Sequence, residues 1–394
     1  MELSKMTMEI FTKLEQQWLH HQNNSANDGK KTRILSIDGG GTSAIVAGAF
    51  LVHLEDQIQA KTGDSTSRIA DFFDIVAGTG IGAVLATFIT AADDAGRPMF
   101  SAREAVEFLA KNEPAMFKPK RKGLLRRRKG HRCSGESLEK VLKSALTRGG
   151  AKAMTLRDTC KPILVPCYDL KSAAPFVFSR AAASASGWSS LDFELWKVCR
   201  ASMATPAVFE PFGVTSVDGK TACLAVDGGL VMNNPTAAAV THVLHNKVDF
   251  PSVNGVDDLL VLSFGNGALS TGGRRSVGGN DECSTGSVID IAVDGISETV
   301  DQMMGNAFSW NRNDYVRVQA NGLGGLVSES MTIEEEVLKE RGIESLTFGG
   351  KRLLNETNGE RIEGFAQRLL LAATSKTSLP PSPFKSFSPL HDGR

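Results

Sequence analysis

The stretch Phe73-Asp74-Ile75-Val76-Ala77-Gly78-Thr79-Gly80-Ile81-Gly82-Ala83-Val84-Leu85-Ala86 decides how this chain is read. Its first five residues form a short apolar run of the kind that fills a buried strand. Its last seven, small and aliphatic without a breaker, predict a helix. Between them, Gly78-Thr79-Gly80-Ile81-Gly82 has the spacing of the strand-to-helix elbow G-x-S-x-G, whose central serine presents its Oγ at the top of a sheet. Glycine at either end has a steric reason, because side chains at those positions of so tight a turn would collide. At the centre, Gly80 offers a hydrogen where that elbow offers a nucleophile.

Working outward, residues 33–37 predict a strand that runs into Asp38-Gly39-Gly40-Gly41-Thr42. The segment after it carries Ala47, Leu51, Leu54 and Ile58 at i, i+4, i+7 and i+11, one buried stripe of a helix. Further strands are predicted at 162–168, 175–179, 223–227 and 259–264, with helices at 193–201 and 235–244. Late surface helices are expected at 332–339 and 361–373. Strands alternating with helices point to an α/β fold in three layers, with a central, mostly parallel, doubly wound sheet. Ligands of such sheets bind beyond the carboxyl ends of the strands. Both glycine loops fall at such ends, and so does a third element, Asp227-Gly228-Gly229.

A chain of 394 residues with 41% apolar residues can bury a large core. Net charge is zero, so nothing in the overall balance draws it to nucleic acid. The charge is nevertheless uneven. Residues 118–132 hold nine Lys/Arg, and removing these from 44 leaves 35 basic against 44 acidic residues elsewhere. Lys120, Arg121, Lys122, Arg126, Arg127, Arg128 and Lys129 are therefore candidates to meet anionic lipid headgroups, each worth about 1 kcal/mol near such a surface. Six cysteines without C-x-x-C spacing favour reduced thiols over a disulfide framework or a zinc site. The first 22 residues lack the apolar run of a signal peptide, and the longest apolar stretches are too short to span a bilayer. The expectation is a cytoplasmic protein with peripheral contact at the plasma membrane. Residues 1–30 read as a helix and hinge, 31–270 as the main domain, 271–374 as its helical C-terminal extension, and 375–394 as a disordered tail. Across the junction of domain and extension, residues 265–280 read as a mobile loop.

Three elements carry the chemistry. Bare glycine backbone at Gly39, Gly40 and Gly41 can aim several N–H groups at one point, which suits a developing oxyanion. The elbow is the second, and Asp227, followed by two glycines that allow a sharp turn, is the third. Their order resembles the patatin-like phospholipase family, in which a Ser–Asp dyad cleaves acyl esters of membrane lipids without metal or cofactor. Residues 163–169 leading to Phe176-Val177-Phe178, residues 200–209 and residues 226–235 resemble it too. Glycine in place of the elbow serine is similar to the plant-specific third group of patatin-related phospholipases A, as are the basic insert and the Pro/Ser-rich tail.

The resemblance implies a lipid acyl hydrolase acting on phospholipids and galactolipids at a bilayer surface. Asp227 would be the base, Gly39, Gly40 and Gly41 the oxyanion hole, Gly78, Thr79 and Gly82 the elbow, and Gly228 and Gly229 the turn beside the base. Two departures bear on it. Thr42-Ser43-Ala44 replaces the arginine and glycine that follow the family's glycine loop, and Gly80 removes covalent catalysis by serine. Thr79 is a poor substitute, because the family also carries threonine there. Asp227 acting on a water in the space left at Gly80 is one resolution. A pseudoenzyme that binds lipid or regulates is the other. Residues 37–42 also resemble the first phosphate loop of the actin/hexokinase ATPase fold. That fold continues with a returning strand, where helical periodicity follows here. His242 and His245 read as ordinary helix residues, and Asp38 as a structural anchor of its loop.

Overall fold

Alternation along the first strand sets the layers. In β1 (Thr32–Ile37), Leu35 and Ile37 enter one apolar cluster with Phe50, Leu54 and Phe88, while Ile34 enters a second with Val240, Val243 and Phe308. Successive side chains of a strand point to opposite faces, so burial on both faces demands a helical layer above and below. The computed structural model describes residues 31–40, 45–120, 133–150, 152–180, 191–266, 285–320, 333–346 and 350–374.

The other strands of the main sheet are β2 (Ile75–Gly78), β3 (Ile163–Asp169), β4 (Ala174–Ser179), β5 (Phe212–Thr215), β6 (Ala222–Val226), β7 (Leu259–Gly265) and β8 (Tyr315–Gln319). A separate antiparallel hairpin comprises β9 (Arg341–Leu346) and β10 (Gly350–Thr357). Helices are α1 (Ile45–Thr62), α2 (Ile81–Thr90), α3 (Ala102–Met116), α4 (Gly135–Ala145), α5 (Leu195–Ser202), α6 (Thr236–His245), α7 (Thr285–Ala307), α8 (Ile333–Lys339) and α9 (Asn358–Thr374). Across the sheet the order is β8-β7-β1-β2-β3-β6-β5, with β4 on the remaining edge of β3. The five strands from β8 to β3 run parallel, and β4, β5 and β6 pair antiparallel to their neighbours. This is the three-layer, mostly parallel α/β architecture that the sequence predicts.

One detail of register builds the site. A strand has two edges, and β4 occupies one edge of β3 from Leu164 to Asp169. The other edge is shared: β2 pairs with Ile163 and Leu164, and β6, running the opposite way, pairs with Tyr168 and Asp169. The carboxyl ends of β2 and β6 therefore approach each other across a gap on that edge. The elbow follows β2 and Asp227 follows β6, so the sheet brings two motifs 145 residues apart in sequence toward one place.

The C-terminal stretch differs from its reading as a helical extension. It also supplies β8, which lengthens the parallel sheet, and the β9–β10 hairpin. Nor is α9 a surface helix. Ile362, Phe365, Ala366 and Leu369 are fully or almost fully buried in the first cluster, and Phe365 stacks on Phe73 at 6.4 Å. In α8, Val337 is likewise fully buried. The predicted N-terminal helix, most of the basic insert, residues 267–280 of the glycine-rich loop and the tail lie outside the described residues. Among the described residues, Cys160, Cys167, Cys199 and Cys223 carry free thiols.

Candidate active site

The elbow is set by contacts a side chain would violate. A Cβ on Gly78 would stand 2.3 Å from the Gly82 carbonyl oxygen, and one on Gly82 would stand 2.4 Å from that of Asp38. Both are impossible distances against backbone, so α2 can pack this closely on β1 and β2 only with glycine at these two positions. Gly80 differs. Its φ of 55° and ψ of −121° are a conformation that side chains rarely adopt. Space is nevertheless open there: a Cβ would meet Gly39 Cα at 3.7 Å and Gly40 N at 4.0 Å, ordinary contacts. Thr79 is fully buried with its hydroxyl donating to the Met232 carbonyl at 2.7 Å, and is no nucleophile.

Ser202, at the end of α5, ties the elbow to the Asp227 turn. Its Oγ accepts from Gly80 N–H at 2.9 Å and donates to the Pro166 carbonyl at 2.8 Å. Gly228 passes over that same carbonyl so closely that a Cβ would lie 2.3 Å from it and 3.2 Å from Ser202 Oγ. Just before this glycine, Asp227 is held from both sides. Oδ2 accepts from the Thr205 hydroxyl and Oδ1 from Gly229 N–H, each at 2.8 Å. Burial pushes the Asp227 carboxyl above its ordinary 3.8, although both hydrogen bonds oppose the shift. A half-buried carboxylate with a raised pKa at the carboxyl ends of parallel strands has the character of a functional base.

The glycine loop closes the other side. Gly39 donates its N–H to the Asn233 carbonyl at 2.9 Å, so that donor is already occupied. Gly40, with φ 92°, brings its nitrogen toward the open position at Gly80. Gly41 lies outside the described residues. Asn233 also sends its Nδ2 to Ser297 on α7 at 2.7 Å, while its Oδ1 is buried without a donor among the described residues. That oxygen would lie 2.7 Å from a Cβ on Gly39 and 3.2 Å from one on Gly229, and the Gly229 Cβ would itself stand 3.2 Å from Asp227 Oδ1. An orphaned acceptor beside the carboxylate marks a place for a water or a substrate hydroxyl.

Two residues that sequence reasoning passed over fix this loop. Asn266, just past β7, donates Nδ2 to the carbonyls of Asp38, Gly39 and Gly40 at 3.0, 3.2 and 3.4 Å. Arg317, on β8, clasps Asp38 with both terminal nitrogens at 2.8 and 2.6 Å and also donates to Ser263 at 2.8 Å. Asp38 is thus an anchor, as expected, with the Arg317 guanidinium as the partner of its carboxylate. The two charges are buried together: desolvation raises Asp38, while its carboxylate holds Arg317 far above the usual guanidinium range. The Y-V-R-V-Q alternation of residues 315–319 was the available sign of a strand there. Thr205 was visible only as part of a family-like stretch.

Gly39, Gly40, Gly78, Thr79, Gly80, Gly82, Asp227, Gly228 and Gly229 all belong to this one constellation. Among the membrane candidates, Lys120 pairs with Glu210 at 2.7 Å, and the six from Arg121 to Lys129 lie outside the described residues. His242 and His245 sit in the last turn of α6. No group of three His, Cys, Asp or Glu able to hold a metal occurs among the described residues.

Comparison with known proteins agrees with this architecture. The family model for patatin-like phospholipase matches residues 35–240. The chain is 62% identical over 400 residues, covering all of both chains, to an Arabidopsis thaliana protein named "Probable inactive patatin-like protein 9". It is 41% identical to Arabidopsis thaliana patatin-like protein 7, covering 96% of this chain and 83% of that one. With patatin-like protein 3 of Oryza sativa subsp. indica it shares 37% identity over 93% of this chain and 90% of the other.

Proposed function

The chain belongs to the patatin-like phospholipase family, and we propose that within it this protein is a slow lipid acyl hydrolase in which Asp227 activates water directly. Its substrates are phospholipids and galactolipids at a membrane surface. The observation that carries the reading is the grouping of a raised-pKa carboxyl, an orphaned amide oxygen and an open side-chain position beside Gly40 N–H.

In this mechanism a water sits where the serine CH2–OH would be, hydrogen-bonded to Asp227 Oδ1 and Asn233 Oδ1. Asp227 takes its proton as the oxygen attacks the ester carbonyl, and the oxyanion is received by Gly40 N–H. Collapse of the tetrahedral species breaks the bond to the alcohol, which leaves with the proton from Asp227. No acyl-enzyme forms. General-base assistance contributes about 10²–10⁴-fold. In serine proteases, an oxyanion hole and binding retain about 10³–10⁴-fold over water without the triad. Turnover is therefore supported at a rate well below that of a serine enzyme. The basic segment that includes Lys120, Arg121, Lys122, Arg126, Arg127, Arg128 and Lys129 would hold the protein to anionic bilayers from the cytoplasmic side. Binding to vesicles should rise with anionic lipid and fall with salt. Equal binding to neutral vesicles at every ionic strength would remove that role.

A second reading has its own support: a lipid-binding module without turnover. Gly80 carries no hydroxyl, and the name of the 62% identical relative describes that protein as probably inactive. Fatty-acid release from phosphatidylcholine and monogalactosyldiacylglycerol by the purified protein, compared with Asp227→Asn, separates the two. Release abolished by that substitution supports the hydrolase. Lipid binding with no release, or release that Asp227→Asn leaves unchanged, rules out the mechanism.

A further inference from the structure

Beside β8, a cavity of about 590 Å³ opens between the end of α7, the Arg312–Asp314 turn, β8, the β9–β10 hairpin and α9. Its size falls in the range of small-molecule sites. Five arginines line it, and three are accounted for. Arg317 holds Asp38, Arg352 holds Glu344, and Arg368 holds Asp314. Arg361 is not matched in this way. One terminal nitrogen donates to the Arg317 carbonyl at 2.9 Å, its Nε is buried without an acceptor, and it forms no ion pair among the described residues. Burial pulls its guanidinium down, against the weaker pulls of Glu356, Glu344 and Asp301. Arg312, exposed at the rim, likewise forms no ion pair among the described residues.

Four carboxylates lie on the wall; Glu356 acts on Arg361 through space, and the other three have partners. Glu344 has Arg352, Asp301 accepts from the Tyr315 hydroxyl at 2.7 Å, and Glu360 caps α9 through Thr357. Arg361 is half-buried with nearby carboxylates but no ion pair among the described residues, and its buried Nε lacks an acceptor, so the cavity favours an occupant whose oxygens can take up its free donors. Guanidinium forks match the oxygens of phosphate in pairs. Phe308 and Phe365 on the same wall suit a small organic body attached to that phosphate. Gly342 adds a steric sign that Arg361 is deliberately placed. A Cβ at Gly342 would lie 2.7 Å from Arg361 Cδ, so a larger residue there would make that side chain shift.

We propose that this cavity binds a phosphate monoester of a small organic molecule, gripped by Arg361 and Arg312, at a site separate from the glycine-loop crevice. The binding holds whether or not the crevice turns over substrate. Two sources present that chemistry, a soluble ester and a lipid headgroup. Isothermal titration of the full chain with glycerol 3-phosphate tests the first, and flotation with phosphatidylcholine vesicles with and without phosphatidic acid tests the second. One of the two should show saturable binding. Arg361→Gln and the rim variant Arg312→Gln should each weaken it about tenfold or more. Gly342→Ala, which keeps both arginines but displaces Arg361, should weaken it as well. Binding of vesicles alone, lost in Arg361→Gln, assigns the headgroup. Failure of both probes to bind, or binding undiminished in Arg312→Gln and Gly342→Ala, overturns the site. Arg312 is exposed, so its variant remains informative if Arg361→Gln does not fold.

Discussion

Restoring a hydroxyl at the elbow, Gly80→Ser, tests the reading of the crevice most directly. A Cβ there meets nothing closer than 3.7 Å, so the cost is one of backbone and not of collision. A side chain held at φ 55° and ψ −121° costs about 1–3 kcal/mol. That is a visible loss of stability but not an unfolding one for a chain with so large a core. Gly78→Ala and Gly82→Ala, whose Cβ atoms would fall at 2.3 and 2.4 Å from carbonyl oxygens, should cost about 3 kcal/mol or more and serve as contrasts. The new Oγ would lie on the Cβ that is 4.0 Å from Gly40 N, so an oxyanion formed there has a donor beside it. Removing the nucleophile of a serine hydrolase costs on the order of 10⁶ in kcat, so supplying one to a prepared site should return a sizeable part of that. A gain of about 10²-fold in ester hydrolysis needs only ~2.7 kcal/mol of barrier lowering. The assay is release of fatty acid together with covalent labelling by a fluorophosphonate. A folded, lipid-binding Gly80→Ser protein that neither labels nor gains rate would refute the convergence of carboxyl, amide and elbow.

Three further outcomes follow from the same geometry. Asp227→Asn should abolish hydrolysis, and in the parent protein the rate should climb as pH rises through a pKa above the ordinary 3.8, because only the ionised carboxylate takes the proton. The native state also retains that proton where the unfolded chain has released it, so stability is lost as pH rises from about 4 through the folded pKa. Urea melts of Asp227→Asn should lack this component, and an identical slope in both proteins would contradict the raised pKa. Asn266→Ala removes the amide that laces three loop carbonyls, and should cost about 1–3 kcal/mol with a larger proportional loss of hydrolysis. If hydrolysis survives unchanged, the loop does not depend on that lacing. Arg317→Leu leaves Asp38 buried without its partner and should cost about 3–5 kcal/mol, with part recovered by adding Asp38→Asn. Chemical denaturation of the single and double variants measures both, and no recovery would show that the charge on Asp38 is not the source of the loss.

The parts of the fold that were legible in sequence are those whose signal is local. The apolar runs of β1, β3 and β7 and the stripe through Ala47, Leu51, Leu54 and Ile58 are buried where expected, because a strand or helix in the centre of the molecule leaves its periodicity in the residues themselves. The end of the chain was harder. In β8 the run Tyr315-Val316-Arg317-Val318-Gln319 carries an arginine and a glutamine, which reads as an exposed segment until the ion pair with Asp38 is known. The α9 helix looks amphipathic and superficial in one dimension, and only the stack of Phe365 on Phe73 shows that it seals the core. In the site, glycines announce themselves because tight turns have few other solutions. Thr205, Asn233 and Asn266 do not. Their roles depend on which strand ends the sheet brings together, and that is set by β2 and β6 sharing one edge of β3.

The three glycines of the elbow do not carry equal weight as signs of activity. Gly78 and Gly82 are demanded by packing, since any side chain there would strike backbone, and a protein with no catalytic role would need them as much as an enzyme. The turn at Gly80 follows from the same close approach of α2 to β1. Asp227 is different. The fold's hydrogen bonds do not require a charge at that position: an asparagine could accept from Gly229 N–H through Oδ1 and donate Nδ2 to the Thr205 hydroxyl, without the desolvation that raises the carboxyl. The chain therefore keeps the one group of the constellation that burial penalises and that packing does not need. A site reduced to lipid binding has no physical reason to prefer the acid over the amide, whereas a site that must take a proton from water does. The weight of the hydrolase reading accordingly rests on Asp227 and on the open space facing it, and not on the elbow by which the family resemblance is first seen.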